Sequence, residues 1–125
     1  LSNIKHIKLP LACSLDNIGH SWNQFVIRIL DNSFEMQQDE LVISSNSKNR
    51  DVFKNKLERL GVSTIIYYPI PIHLQPAYKH LGYKKGSLPI TEEICDQVIS
   101  LPIFPEMELT QQLYVIEAIQ KIYNK

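Results

Sequence analysis

Six of the seven prolines in this chain fall between Tyr67 and Pro105. The stretch reads Tyr-Tyr-Pro-Ile-Pro-Ile-His-Leu-Gln-Pro-Ala-Tyr from Tyr67 to Tyr78 and closes with Ser-Leu-Pro-Ile-Phe-Pro from Ser100 to Pro105. Each proline fixes its own φ, removes a donor and pushes its predecessor toward extended geometry. A continuous helix or central strand through this region is therefore excluded. A tightly specified path, largely loop, is expected instead. Such a path either poses side chains for a ligand or makes a rigid turn between core elements.

With 125 residues, 44% hydrophobic and 21% charged, the chain suits a single globular domain, residues 1–125, with a real core. Its formal net charge is zero, which argues against non-specific nucleic-acid binding, since that needs a basic surface. Two cysteines, Cys13 and Cys95, have neither metal-ligand nor redox spacing. Thiols in a reducing, cytoplasmic setting are the simplest account. No apolar run approaches the roughly 18 residues a membrane span needs. The first residues show no charged-then-apolar signal pattern, and Leu1 is not an initiator methionine, as expected of a tag-cleaved chain or a piece of something longer.

In chain order, residues 1–16 alternate weakly and read as an extended lead-in. Trp22 to Leu30 is the clearest strand, with Phe25, Ile27 and Ile29 on one face and Gln24, Val26 and Arg28 on the other. Asp31-Asn32-Ser33 marks a turn, and Leu41 to Ser44 a second short strand. A helix is predicted from about Arg50 to Leu60, capped by Asn49 or Ser47, with an apolar stripe of Val52, Phe53, Lys56, Leu57 and Leu60. Gly61 suits its left-handed stop. Val62 to Tyr68 reads as a further strand. Short helices are expected at Gln75–Leu81 and at about Ile90–Ile99, with an extended piece from Leu101 to Phe104. Thr110 is placed to cap a final helix whose stripe is Leu113, Ile116, Ile119 and Ile122, widened by Val115, Ala118 and Tyr123. The order of elements points to an α+β fold: a small sheet of three or four strands, mostly antiparallel, with helices packed on it.

The chemistry-bearing residues do not assemble a site by spacing. The four histidines, His6, His20, His73 and His80, lack zinc spacing, so no metal is expected. The four glycines are isolated and form no phosphate loop. His73 stands out because Pro71 and Pro76 hold its backbone on both sides. It either offers an imidazole to a ligand beside Tyr68 or bonds nearby carbonyls, and spacing leaves both open. Trp22 and Asn23 read as strand packing, and Tyr67, Tyr68, Tyr78 and Tyr83 as core-edge packing.

Several blocks in order carry a resemblance. Tyr68 to Tyr78, Leu81-Gly82-Tyr83, Leu88-Pro89, Glu92 and Ser100 to Glu106, with His20 to Arg28 upstream and Arg50-Asp51 and Leu57 to Gly61 between, closely resemble the C-terminal part of the DegT/DnrJ family. These are pyridoxal-phosphate-dependent aminotransferases acting on nucleotide-linked keto-sugars. The resemblance implies the small C-terminal domain of a fold type I aminotransferase. It implies an amino group passed from an amino-acid donor, usually glutamate, to the sugar substrate, in surface polysaccharide or glycoconjugate biosynthesis. The Schiff-base lysine, the acidic partner of the pyridine nitrogen and the phosphate loop belong to a large domain that would precede Leu1. No catalytic or cofactor-binding residue is therefore expected here, no pyridoxal phosphate is expected on this chain alone, and the intact enzyme is expected to be a homodimer. By the same resemblance His73, with Tyr68 beside it, contacts substrate. Tyr67 and Asn23 stand where the family often has histidine, which implies altered sugar specificity or lost activity. An isolated small domain should expose apolar side chains on the loop side of its sheet. The competing readings are a non-catalytic binding module with the same fold and an unrelated α+β domain.

Overall fold

The structure, a computed structural model, describes residues 1–11, 19–30 and 49–123. Its elements are β1 (Ile7–Lys8), β2 (Phe25–Ile29), α1 (Asn49–Arg59), two 3-10 turns (Ile72–Leu74 and Pro76–Leu81), α2 (Pro89–Gln97), β3 (Val98–Leu101) and α3 (Leu109–Tyr123). The three strands form one antiparallel sheet in the order β1-β2-β3. Among the described residues no helix is long and apolar enough to cross a membrane.

The register explains the core. Ile7 lies opposite Ile29, Ile27 opposite Ile99 and Phe25 opposite Leu101. Directly opposed residues share a face, so Ile7, Ile27, Ile29, Ile99 and Leu101 make one apolar surface, and all five are buried. Phe53 and Leu57 of α1 and Val115, Ala118 and Ile119 of α3 close over it. Each such large side chain contributes about 1.5–3 kcal/mol on burial. The opposite face of β2 carries Arg28, whose Nε and Nη2 donate to Gln97 Oε1 at 2.9 and 2.5 Å at the end of α2.

The stop of α1 follows from Gly61 at φ 75°. Val62 N–H donates to Leu57 C=O and Gly61 N–H to Glu58 C=O, both at 2.9 Å. That is the paired bonding of a Schellman turn. The last helix begins one residue before Thr110. Its cap is Glu108, whose N–H donates to Gln111 Oε1 at 2.9 Å, half of a capping box.

Thr110 thus lies inside α3 rather than capping it, and Asn49 is the first residue of α1 rather than its cap. Further expectations need correction. Trp22 lies outside the strand, at φ 48°. Its N–H donates to His20 Nδ1 at 2.9 Å and its ring stacks on His20 at 4.1 Å, so a local turn replaces extension. Val62 to Tyr68 is not a strand; only Ile65 bridges to Ser100. The second helix ends at Gln97, and Val98 to Leu101 is the sheet's third strand. The buried face of α3 is centred on Val115, Ala118 and Ile119, while Leu113 is exposed. The predicted strand at Leu41–Ser44, the turn at Asp31–Ser33, the Ser47 cap and Cys13 lie outside the described residues.

Candidate functional site

The proline-braced segment forms a loop seated against α2. Pro71 C=O accepts from Leu74 N–H at 2.9 Å and Ile72 C=O from Gln75 N–H at 3.1 Å, which closes the 3-10 turn around His73. A second turn follows at once, with Pro76 in its first position and Gly82 at φ 77° ending it. Prolines fix φ near the value these turns need.

His73 sits on the inner side of this loop. Its side chain is 6% exposed and its Nε2 lies 3.0 Å from Glu92 Oε1. The Tyr83 ring meets it edge-on at 5.9 Å. Glu92 accepts more than this one contact. Gly86 N–H donates to both carboxylate oxygens at 2.9 Å, and Leu88 N–H to Oε1 at 3.3 Å. The Gly86 N–H above all, then the His73 ring and the Leu88 N–H, hold the Glu92 carboxyl below its ordinary value, against the opposing effect of desolvation. One turn further along α2, the buried Cys95 thiol donates to Tyr68 C=O at 2.9 Å. Cys95's own carbonyl accepts from Arg50 Nη1 at 2.6 Å, and Arg50 is held by Asp51 Oδ1 at 2.8 and 2.9 Å.

The outer side of the loop is apolar and open. Tyr68 is 59% exposed, and Tyr67, Ile70, Ile72, Tyr78 and Tyr83 are exposed with it. Six large exposed side chains, four of them within residues 67–72, are grouped along this one segment. Beside it runs a cleft of about 210 Å³, lined by Asn23, Gln24, Ile65, Tyr67, Ser100 and Phe104 among others. The structure thus brings Asn23 and Tyr67 to one cleft, although they lie far apart in sequence. His73 and Tyr68 share the loop but face opposite ways: the ring turns inward and the phenol outward. The other histidines are elsewhere. His80 Nδ1 donates to Ala77 C=O at 3.1 Å, and His6 stacks on Tyr123.

Sequence reasoning named Glu92 and Cys95 without a role for either. A glutamate in the first turn of a helix reads as a solvated residue that suits the helix dipole. Only the closeness of His73 in space, and the i, i+3 spacing of Glu92 and Cys95 on one face, reveal the pair as anchors. Among the described residues no group of three His, Cys, Asp or Glu could hold a metal ion. No described lysine is buried, and the described glycines stand apart along the chain.

The fold is that of solved aminotransferases of fold type I. An aminotransferase of the DegT, DnrJ, EryC1 and StrS type from Brucella abortus superposes with a TM-score of 0.69 and 29% identity, over 96% of this chain and 27% of its own. NtdA from Bacillus subtilis, solved with bound cofactor PMP, gives 0.70 and 26%, over 99% of this chain and 24% of its own. The sequence profile of the DegT/DnrJ/EryC1/StrS aminotransferase family matches residues 10–120, and the chain belongs to that family. It is 33% identical over 121 residues to dTDP-3-amino-3,6-dideoxy-alpha-D-galactopyranose transaminase of Aneurinibacillus thermoaerophilus, covering 94% of this chain and 28% of that protein. It is 46% identical over 75 residues to a pleiotropic regulatory protein of Geobacillus stearothermophilus, covering 60% of this chain and 20% of that protein. The chain therefore spans only between 20% and 28% of the length of these relatives.

Proposed function

We propose that this chain is the small C-terminal domain of a pyridoxal-phosphate-dependent aminotransferase that moves an amino group from an amino acid, glutamate first among candidates, to a nucleotide-linked keto-sugar. The observation that carries the reading is the family match along almost the whole chain. Relatives named as dTDP-sugar transaminases support the substrate class. The large domain supplies the lysine and binds the cofactor, and the intact enzyme is a cytoplasmic homodimer serving polysaccharide or glycoconjugate synthesis. When bound there, the cofactor supplies the electron sink for transamination. This chain supplies the wall of the sugar-nucleotide pocket.

Within that wall Tyr68 contacts substrate directly, since its phenol is on the open side of the loop. His73 belongs to the same wall and acts from behind, through the inward hydrogen bond to Glu92. Asn23 and Tyr67, meeting in one cleft, bear on which sugar fits.

The test is glutamate-dependent turnover by the gene product that carries this chain together with its upstream sequence. Release of 2-oxoglutarate only when a dTDP- or UDP-linked keto-sugar is present supports the reading, and its absence with every such sugar sinks it. The 125-residue chain, mixed with pyridoxal phosphate, is expected to show no visible absorption band fixable by borohydride. The name of the Geobacillus relative favours a second reading, a non-catalytic regulatory module with the same fold. That reading requires sugar-nucleotide or partner binding without turnover.

A further inference from the structure

We infer that Glu92 is a positioning residue for the 67–74 loop, gathering His73, Gly86 and Leu88 on one carboxylate and so fixing where Tyr68 and Ile72 stand. The inference rests on the proposed function only for what the loop touches.

Three observations carry it. The Glu92 side chain is 14% exposed although its neighbours Pro89, Ile90 and Thr91 are all exposed. A glutamate in a first turn with nothing to hold would be solvated; this one is drawn back over the helix start. Its partners come from two separate segments. Gly86 and Leu88 belong to the turn before α2, where Gly86 sits at φ 89°, while His73 lies in the 3-10 turn between two prolines. A carboxylate has about four acceptor directions, and these donors use most of them. Finally, Cys95 one turn along the same helix holds the Tyr68 carbonyl. The loop is thus pinned at Tyr68 and at His73 to one face of one rigid helix. Between and beside those pins Tyr68 and Ile72 turn outward, more than half exposed.

Glu92 acts through His73, its contact in the loop, and that pathway makes a prediction that a helix-capping role alone does not. In the 15N-labelled chain, backbone order parameters for Ile70 and residues 72–75 should be near the rigid value of about 0.85. In Glu92→Ala they should fall below about 0.6, with β2 and β3 unchanged. Glu92→Gln, which keeps an acceptor for Gly86 and an amide for the ring, should recover most of that loss. The His73 ring nitrogen resonances should move in both variants. The double variant His73→Ala/Glu92→Ala should be no looser than Glu92→Ala, because Glu92→Ala already breaks the connection that His73→Ala removes. Loop order equal to wild type in Glu92→Ala overturns the inference, as does full additivity in the double variant. Should Glu92→Ala fail to fold, Glu92→Gln decides: an intermediate loop with moved ring resonances supports it, and unmoved ring resonances overturn it. None of these readings depends on turnover, so failure of the sugar-transaminase proposal leaves the result distinguishable.

Discussion

At the scale of single residues, polar groups on α2 hold the loop at two points, His73 and the Tyr68 carbonyl. Arg50 is a buried cation whose Nη1 satisfies the Cys95 carbonyl, and Cys95 in turn holds Tyr68. Removing a partner from a buried acceptor costs more than the mean value of a hydrogen bond. Arg50→Ala is therefore expected to destabilise the chain by about 2 kcal/mol in urea unfolding. Asp51→Asn, which keeps an acceptor oxygen, should cost well under half of that. Glu92 gives a pH signature. Its folded-state pKa lies below the ordinary 4.5, so its contribution is fully present above that value and is lost as pH falls through the lower folded one. The urea midpoint of wild type should accordingly fall more steeply in that acid range than that of Glu92→Gln. Little of this was legible in the sequence. Proline spacing singled out His73 but could not say which way its ring turns, because two held φ angles leave χ1 undetermined.

At the scale of elements, what could be read was whatever had a clean period. Phe25, Ile27 and Ile29 alternate with Val26 and Arg28, and the alternation survives as the two faces of β2. Val98 to Leu101 could not be read that way. Ile94, Cys95 and Val98 fall on one side of a helix, so the run reads as the end of α2. A strand that is buried or half-buried at all four positions has no polar alternation to betray it. Conversely, Val62 to Tyr68 is rich in strand formers, yet only Ile65 reaches β3, and Pro69 and Pro71 remove further donors. The α1 stop was legible because only glycine takes that φ freely. A Cβ at Gly61 would meet Tyr114 Oη at an ordinary 3.8 Å, so the cost of Gly61→Ala is in the backbone alone. It should be about 1 kcal/mol in thermal or urea unfolding, with Gly61→Asn costing less.

At the scale of the whole molecule, the outer loop face sets how the chain behaves alone. Tyr67, Tyr68, Ile70 and Ile72 together present apolar area of the kind that proteins cover. Sedimentation velocity should show concentration-dependent self-association, and Ile70→Lys with Ile72→Lys should abolish it while the circular dichroism spectrum stays the same. The sheet order carries a separate consequence. β2 is the middle strand, but one of its two neighbours is encoded near the far end of the polypeptide. Pairing so distant in sequence folds slowly, since chain entropy is lost before contacts form. During translation the edge of β2 that pairs with β3 can therefore gain that partner only once Leu101 has left the ribosome. Nascent chains stopped at Gln97 should be digested rapidly by protease, whereas those extended past Tyr123 should resist it.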